Sequence, residues 1–190
     1  MNRLTIVIAL AFCVLPAVCL AQIENGDFEL GGMGWSGTGL LGWTLSYPDS
    51  GGNPTGYLQI TSPDDSLATG EVCASQTFMC GSVADSAKGS CRITLTYKLL
   101  KMSGVSYGGH VRIYVDNDLQ HTSPPSDSLD WQTLSVTVPC GEHTLRLCLS
   151  VDAIAPGAWQ ACFDNVAAQC QMVSPVEPST WGRIKSIYRK

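Results

Sequence analysis

Three carboxylates stand near the two ends of what reads as a small β domain. Asp27 and Glu29 fall in Asn25-Gly26-Asp27-Phe28-Glu29, and Asp164 interrupts the apolar run Ala161-Cys162-Phe163-Asp164-Asn165-Val166. An unpaired carboxylate inside an apolar strand is expensive to desolvate. A hard cation such as calcium, which takes several oxygen ligands, would satisfy all three if the first and last strands were neighbours. The simpler alternative is that Asp164 caps a backbone turn and Glu29 is exposed. Catalytic constellations are lacking. His110, His121 and His143 occur without a Gly-x-Ser-x-Gly elbow, a His-Glu-x-x-His pair or a convincing acid pair for glycoside hydrolysis, so no catalytic residue is assigned.

Composition narrows the partners. Residues 22–171 hold six Lys/Arg against fifteen Asp/Glu, a net charge of −9, whereas residues 172–190 hold four against one, +3. A domain this acidic is a poor general binder of nucleic acid. Residues 1–21 carry one early cation, Arg3, an apolar run from Leu4 to Leu20 and small residues ending at Ala21, the pattern of a secretory leader cleaved after Ala21. No second segment long enough to span a bilayer follows. Lipidation at Cys19 is the alternative, disfavoured by Pro16 and Val18. Seven of the nine cysteines lie beyond Ala21, a density that in an exported chain argues for disulfides rather than zinc. Seven is odd, so at least one cysteine is free, bonded to another chain or differently modified, and spacing alone leaves the pairing open.

The elements that must position these residues read as strands. Short β-branched and aromatic runs alternate with Gly, Pro, Ser and Asp clusters, which predicts an all-β fold: a two-sheet antiparallel sandwich, or jelly roll. Strands are expected at Gln22–Phe28, Leu40–Ser46, Tyr57–Thr61, Val72–Met79, Cys91–Leu100, His110–Asp116, Trp131–Val138, His143–Val151 and Gln160–Ala168. Pro139-Cys140-Gly141 reads as a tight hairpin and Asp116-Asn117-Asp118 as a solvated turn. Period-two parity sends Ile93, Leu95, Tyr97 and Leu99, then Val111, Ile113 and Val115, then Leu145, Leu147 and Leu149 to the core. Their alternates include Arg92, Thr96, Lys98, His110, Arg112, Tyr114 and Arg146. If these strands share one sheet, with Tyr57 and Gln59 added from a fourth, they make one outward basic face.

The ordered set Asn25-Gly26-Asp27-Phe28-Glu29, Gly42-Trp43, Gly56-Tyr57-Leu58, Gln76, Ile93-Thr94-Leu95, Val111 to Asp116, Trp131-Gln132 and Phe163-Asp164-Asn165-Val166 resembles the CenC-type carbohydrate-binding modules of the galactose-binding-domain-like superfamily. The resemblance spans residues 23–170. It implies a jelly roll with a structural calcium on Glu29 and Asp164, Asp27 being a possible addition. It also implies a secreted, non-catalytic domain whose ligand is a polysaccharide or other glycan. Planar side chains would stack on sugar rings while polar groups bond hydroxyls. Tyr57, His110 and Tyr114 are expected in the first role, Gln59, Thr96, Arg112 and Arg146 in the second, and Trp159 at a loop edge or as a plug of the sandwich end. The cations suggest an anionic glycan. Trp43 and Trp131 are expected in the core, and Tyr107 on a bordering loop. The rival is a structural or adhesive surface protein without a sugar site, and a jelly-roll lyase or hydrolase comes third. In the tail, Pro175 and Pro178 mark an extended linker. A short basic amphipathic helix from Trp181 to Tyr188 follows, suited to an acidic surface or to export and attachment machinery.

Overall fold

The computed structural model describes residues 22–52, 55–64, 69–81, 89–104, 108–124, 128–152 and 157–172. The expected leader, the tail helix and Tyr107 lie outside them. These residues form ten strands: β1 (Ser36–Gly37), β2 (Thr44–Ser46), β3 (Leu58–Thr61), β4 (Gly70–Cys80), β5 (Gly89–Lys101), β6 (Gly109–Val115), β7 (Asp118–Thr122), β8 (Ser128–Pro139), β9 (Gly141–Val151) and β10 (Trp159–Met172). They make two five-stranded antiparallel sheets, β1-β4-β9-β6-β7 and β2-β3-β10-β5-β8. The all-β sandwich is therefore observed.

Parity delivers the core. Every inward residue expected on β5, β6 and β9 is buried, from Ile93 through Leu149, and Leu58, Ile60, Ala161 and Phe163 join them. Disulfides tie the sandwich. Cys73–Cys148 links directly opposed residues of β4 and β9, and Cys80–Cys91 crosses from one sheet to the other. Cys140 and Cys170 bring their Sγ atoms to 3.6 Å. Cys162 stays a buried thiol outside either bridge.

Two expectations about elements are corrected and a third holds. Gln22–Phe28 is a run of turns, not a strand: Asn25 and Phe28 adopt φ of 49° and 56°, and the Asn25 amide bonds the Gly31 and Met33 carbonyls. The segment is fixed by the Phe28 ring, which packs on Trp35 and Tyr47 at 5.1 and 6.2 Å. Pro139-Cys140-Gly141 is not a hairpin, because β8 and β9 belong to different sheets and this link carries the chain between them. Asp116-Asn117, both at positive φ, does form the tight turn between β6 and the unanticipated β7.

One contact joins β7 of the first sheet to β5 of the second: His121 Nε2 lies 2.9 Å from the Tyr97 hydroxyl, the rings 5.3 Å apart. Burial holds the His121 pKa below its ordinary 6.5. The unfolded chain therefore binds the proton more readily than the folded one, and stability present above pH 6.5 drains away as pH falls through the folded value. Thermal melts of wild type should lose more between pH 7 and pH 5 than those of His121→Gln. Parallel slopes for the two proteins would contradict this.

Candidate binding face

The residues expected on one basic face are split between the two outer faces of the sandwich. Parity separates inward from outward but does not say which sheet a strand joins, and β5 pairs with β10 and β8 whereas β6 pairs with β9 and β7. Tyr57, Gln59 and Thr96 belong to the second sheet, and His110, Arg112, Tyr114 and Arg146 to the first.

On the first sheet the cations are consumed locally. Glu71 of β4 is shared: Arg146 Nη2 lies 3.5 Å from its Oε1, Arg112 Nη1 3.5 Å from its Oε2, and the Tyr114 hydroxyl donates to that Oε2 at 2.9 Å. Arg112 Nη2 also meets Asp152 at 2.5 Å, and His110 stands 3.9 Å from the same carboxylate. The Arg146 guanidinium sits 4.9 Å from the centre of the Tyr114 ring. Burial, then the bond to Glu71, pushes the Tyr114 phenol above its ordinary pKa. Tyr114 is thus stacked against a cation already, and both arginines have protein acids. Asp116 takes no part, because its carboxylate accepts from the Thr144 amide at 2.8 Å and contacts His143 at 2.6 Å.

The second sheet is organised differently. Register aligns Gln59, Cys162 and Lys98 in one row across β3, β10 and β5, with Thr61 beside Gln160 and Asp164 beside Thr96. Between the pairs Tyr97–Gln132 and Leu99–Leu129, Lys98 faces two residues of β8, Asp130 and Trp131. A bulge of this kind re-aims side chains. It brings both neighbours to the outer face, so Trp131, expected in the core, is half-exposed there, and Asp130 reaches Lys98 Nζ at 3.8 Å. The Trp131 ring meets Tyr57 edge-to-face, centroids 6.4 Å apart and planes at 88°. Strands β3 and β8 are separated by two others, roughly 14 Å at ordinary spacing, so the two rings lean inward over β10 and β5. Beneath them Cys162 is 3% exposed despite its outward parity. Burial, opposed by Lys98, pushes its thiol up to about 12, and burial followed by Cys162 raises the Tyr57 phenol. Tyr57 keeps its proton and donates it to Gln59 Oε1 at 3.0 Å, while Gln59 Nε2 donates to Thr61 at 3.4 Å.

Trp159 is on neither face. It is 1% exposed, its backbone N–H donates to Ser62 Oγ at 2.9 Å, and its ring covers Gly109. It plugs the sandwich end.

The first and last segments meet at one corner. A second bulge, between Asp164–Thr96 and Ala167–Thr94, puts Asn165 at φ 53° and frees the Val166 N–H to donate to the Gly26 carbonyl at 2.8 Å. A Cβ at Gly26 would lie 1.9 Å from the Val166 carbonyl oxygen, and one at Gly56 2.8 Å from that of Phe28. The 25–29 turn is therefore clamped between the closing strand and the approach to β3. Glu29 Oε1 accepts from Thr55 Oγ1 and from the Gly56 N–H at 3.1 Å, which hold its carboxyl below the ordinary range. Asp164 is fully buried, one oxygen 2.6 Å from the Asn165 amide. Asp27 turns to the Glu29 N–H at 3.4 Å. Among the described residues, the cluster of three His, Cys, Asp or Glu ligand atoms within 4.8 Å of one another is Glu71, Cys73 and Cys148, whose cysteines form a disulfide.

No family model matches the sequence, and no curated protein matches it. Solved structures do. A cleaved adhesin domain of Lys-gingipain from Porphyromonas gingivalis aligns over 79% of this chain and 96% of its own, with TM-score 0.51 and 12% identity. A CBM4 structure aligns over 76% and 99%, with TM-score 0.49 and 16% identity. The CBM22-1 xylan-binding domain from Paenibacillus barcinonensis Xyn10C aligns over 84% and 96%, with TM-score 0.45 and 17% identity. Of these three, the adhesin domain exceeds a TM-score of 0.5, and at 12% identity that likeness speaks for the fold alone.

Proposed function

We propose that the chain is a non-catalytic carbohydrate-binding domain whose ligand lies on the outer face of the second sheet. The observation that carries this reading is the Tyr57–Trp131 pair, half-exposed on a sheet rather than packed in the core. Around it Gln59, Thr61, Thr96, Lys98 and Asp130 supply donors and acceptors at strand spacing. Amphipathic rings beside fixed polar groups suit pyranose recognition, which needs an apolar platform for C–H faces and hydrogen bonds for hydroxyls. Lys98 is matched by Asp130, so the ligand this face favours is a neutral glycan. The anionic ligand expected from four gathered cations loses its support once Arg112 and Arg146 are paired on the opposite sheet. Two disulfides support an extracellular setting. A glycan array probed with the folded chain tests the reading: retention of neutral chains that persists as salt is raised supports it, and no retention of any glycan rejects it.

A calcium ion held by Glu29 and Asp164 belongs to the same reading. It would fasten the opening turn to the closing strand, a structural task with no part in ligand chemistry. The clamped corner, where Gly26 and Gly56 leave no room for a side chain, supports it. Saturating calcium, at about a hundred times its Kd, should raise the melting temperature of the metal-stripped chain by about 5–10 °C. Glu29→Gln should lose that response. Identical melts in calcium and in EDTA would contradict the assignment.

A further inference from the structure

Among the sheet edges, three are short. β1 has two residues, β2 three, and β7 five, with Asp118 at its start. The fourth, β8, runs twelve residues from Ser128 to Pro139, and no strand lies beside its outer edge among the described residues. An edge strand offers a row of unpaired backbone N–H and C=O groups, which folded proteins ordinarily blunt with brevity, charge, proline or a bulge. From Trp131 to Pro139 there is no charged side chain, the only proline is terminal, and the bulge is confined to Asp130 and Trp131. Gln132 to Val138 is left regular and open.

The same stretch is self-complementary. Turned antiparallel about Ser135, a second copy sets Leu134 opposite Val136 on the half-buried row. Thr133 then stands opposite Thr137, and Ser135 opposite itself, on the exposed row. Hydroxyl pairs are favourable cross-strand neighbours, whereas like charges opposite each other are destabilising.

We propose that β8 pairs with β8 of a second copy of this chain about a two-fold axis at Ser135, joining the two second sheets into one ten-stranded sheet. Such a contact uses the same patch on both partners and closes at the dimer. Resting on the proposed function, it would set two Tyr57–Trp131 faces on one continuous surface, where a long glycan engages both.

Sedimentation velocity on the full chain tests the pairing separately from any ligand. Wild type should sediment as a dimer at high micromolar concentration. Thr133→Lys/Thr137→Lys places lysines opposite each other on two rungs, and Thr133→Glu/Thr137→Glu does the same with acids. Each should weaken the dimer about tenfold or more while retaining the wild-type circular dichroism, since both positions are exposed. An equimolar mixture of the two variants should restore the dimer. A monomeric wild type, open-ended association, or a dimer indifferent to both variants would overturn the proposal.

Discussion

Replacing Trp131 by alanine should weaken retention of the bound glycan about 30-fold or more, while shifting the melting temperature by only a few degrees. The first figure follows from removing a large ring at the centre of a recognition surface, where truncation commonly costs about 2 kcal/mol or more. The second follows from position. Trp131 is half-exposed and packs edge-to-face on Tyr57, so stability loses roughly one aromatic pair, about 0.5–1.5 kcal/mol. Tyr57→Ala should behave alike, with an added loss from the bond to Gln59. Tyr114→Ala and Arg112→Ala are the contrast. They lie on the opposite sheet, held by Glu71 and Asp152, and should leave affinity within about twofold of wild type. Equal losses on both sheets would mean that these variants act through the fold rather than through a site.

Gly109→Ala should destabilise the fold more than any of these, by about 3 kcal/mol. A Cβ there would stand 2.3 Å from Cδ2 of Trp159 and 2.4 Å from Cε3. No real Cβ sits that close, and the indole cannot withdraw, since it is fully buried and its backbone is bonded to Ser62 in both directions. Overpacking of a filled core commonly costs about 1–3 kcal/mol, and this contact belongs at the upper end. Trp159→Ala should cost about 3–5 kcal/mol by leaving a cavity. The double variant should cost clearly less than the two losses combined, because the alanine methyl enters the space the indole vacates. Additive losses by denaturant unfolding would show that the two positions do not share that space.

These contrasts mark where the sequence was readable. Alternation of apolar residues over β5, β6 and β9 is strict, and every side chain parity sends inward there is buried, with Cys148 and Ser150 of β9 buried as well. It stays silent on sheet membership, which depends on which strands exchange backbone bonds, and so the basic face dissolved once β5 left the company of β6 and β9. Bulges were the second blind spot. Asp130 and Trp131 face outward together because one residue of β5 opposes two of β8, a break in parity that no composition signal announces. In β10 there was a signal: Asn165 follows Asp164, and asparagine tolerates the left-handed conformation found there. The polar pair set in an apolar run marks that bulge. Phe28 gave no such sign, since its positive φ is imposed by ring packing on Trp35 and Tyr47. The opening and closing segments do meet, through the Val166 N–H and the Gly26 carbonyl, although the opening segment arrives as a turn instead of a strand.

The most direct measurement of the central claim is an NMR titration of the folded chain with the glycan retained best on the array, following the indole Nε1–H signals and the backbone amides. The Trp131 indole should shift saturably together with the amides of Gln59, Lys98 and Cys162, while the Trp159 indole and the amides around Arg112 and Arg146 stay in place. Saturable shifts centred on Arg112, Tyr114 and Arg146, with Trp131 unmoved, would contradict it.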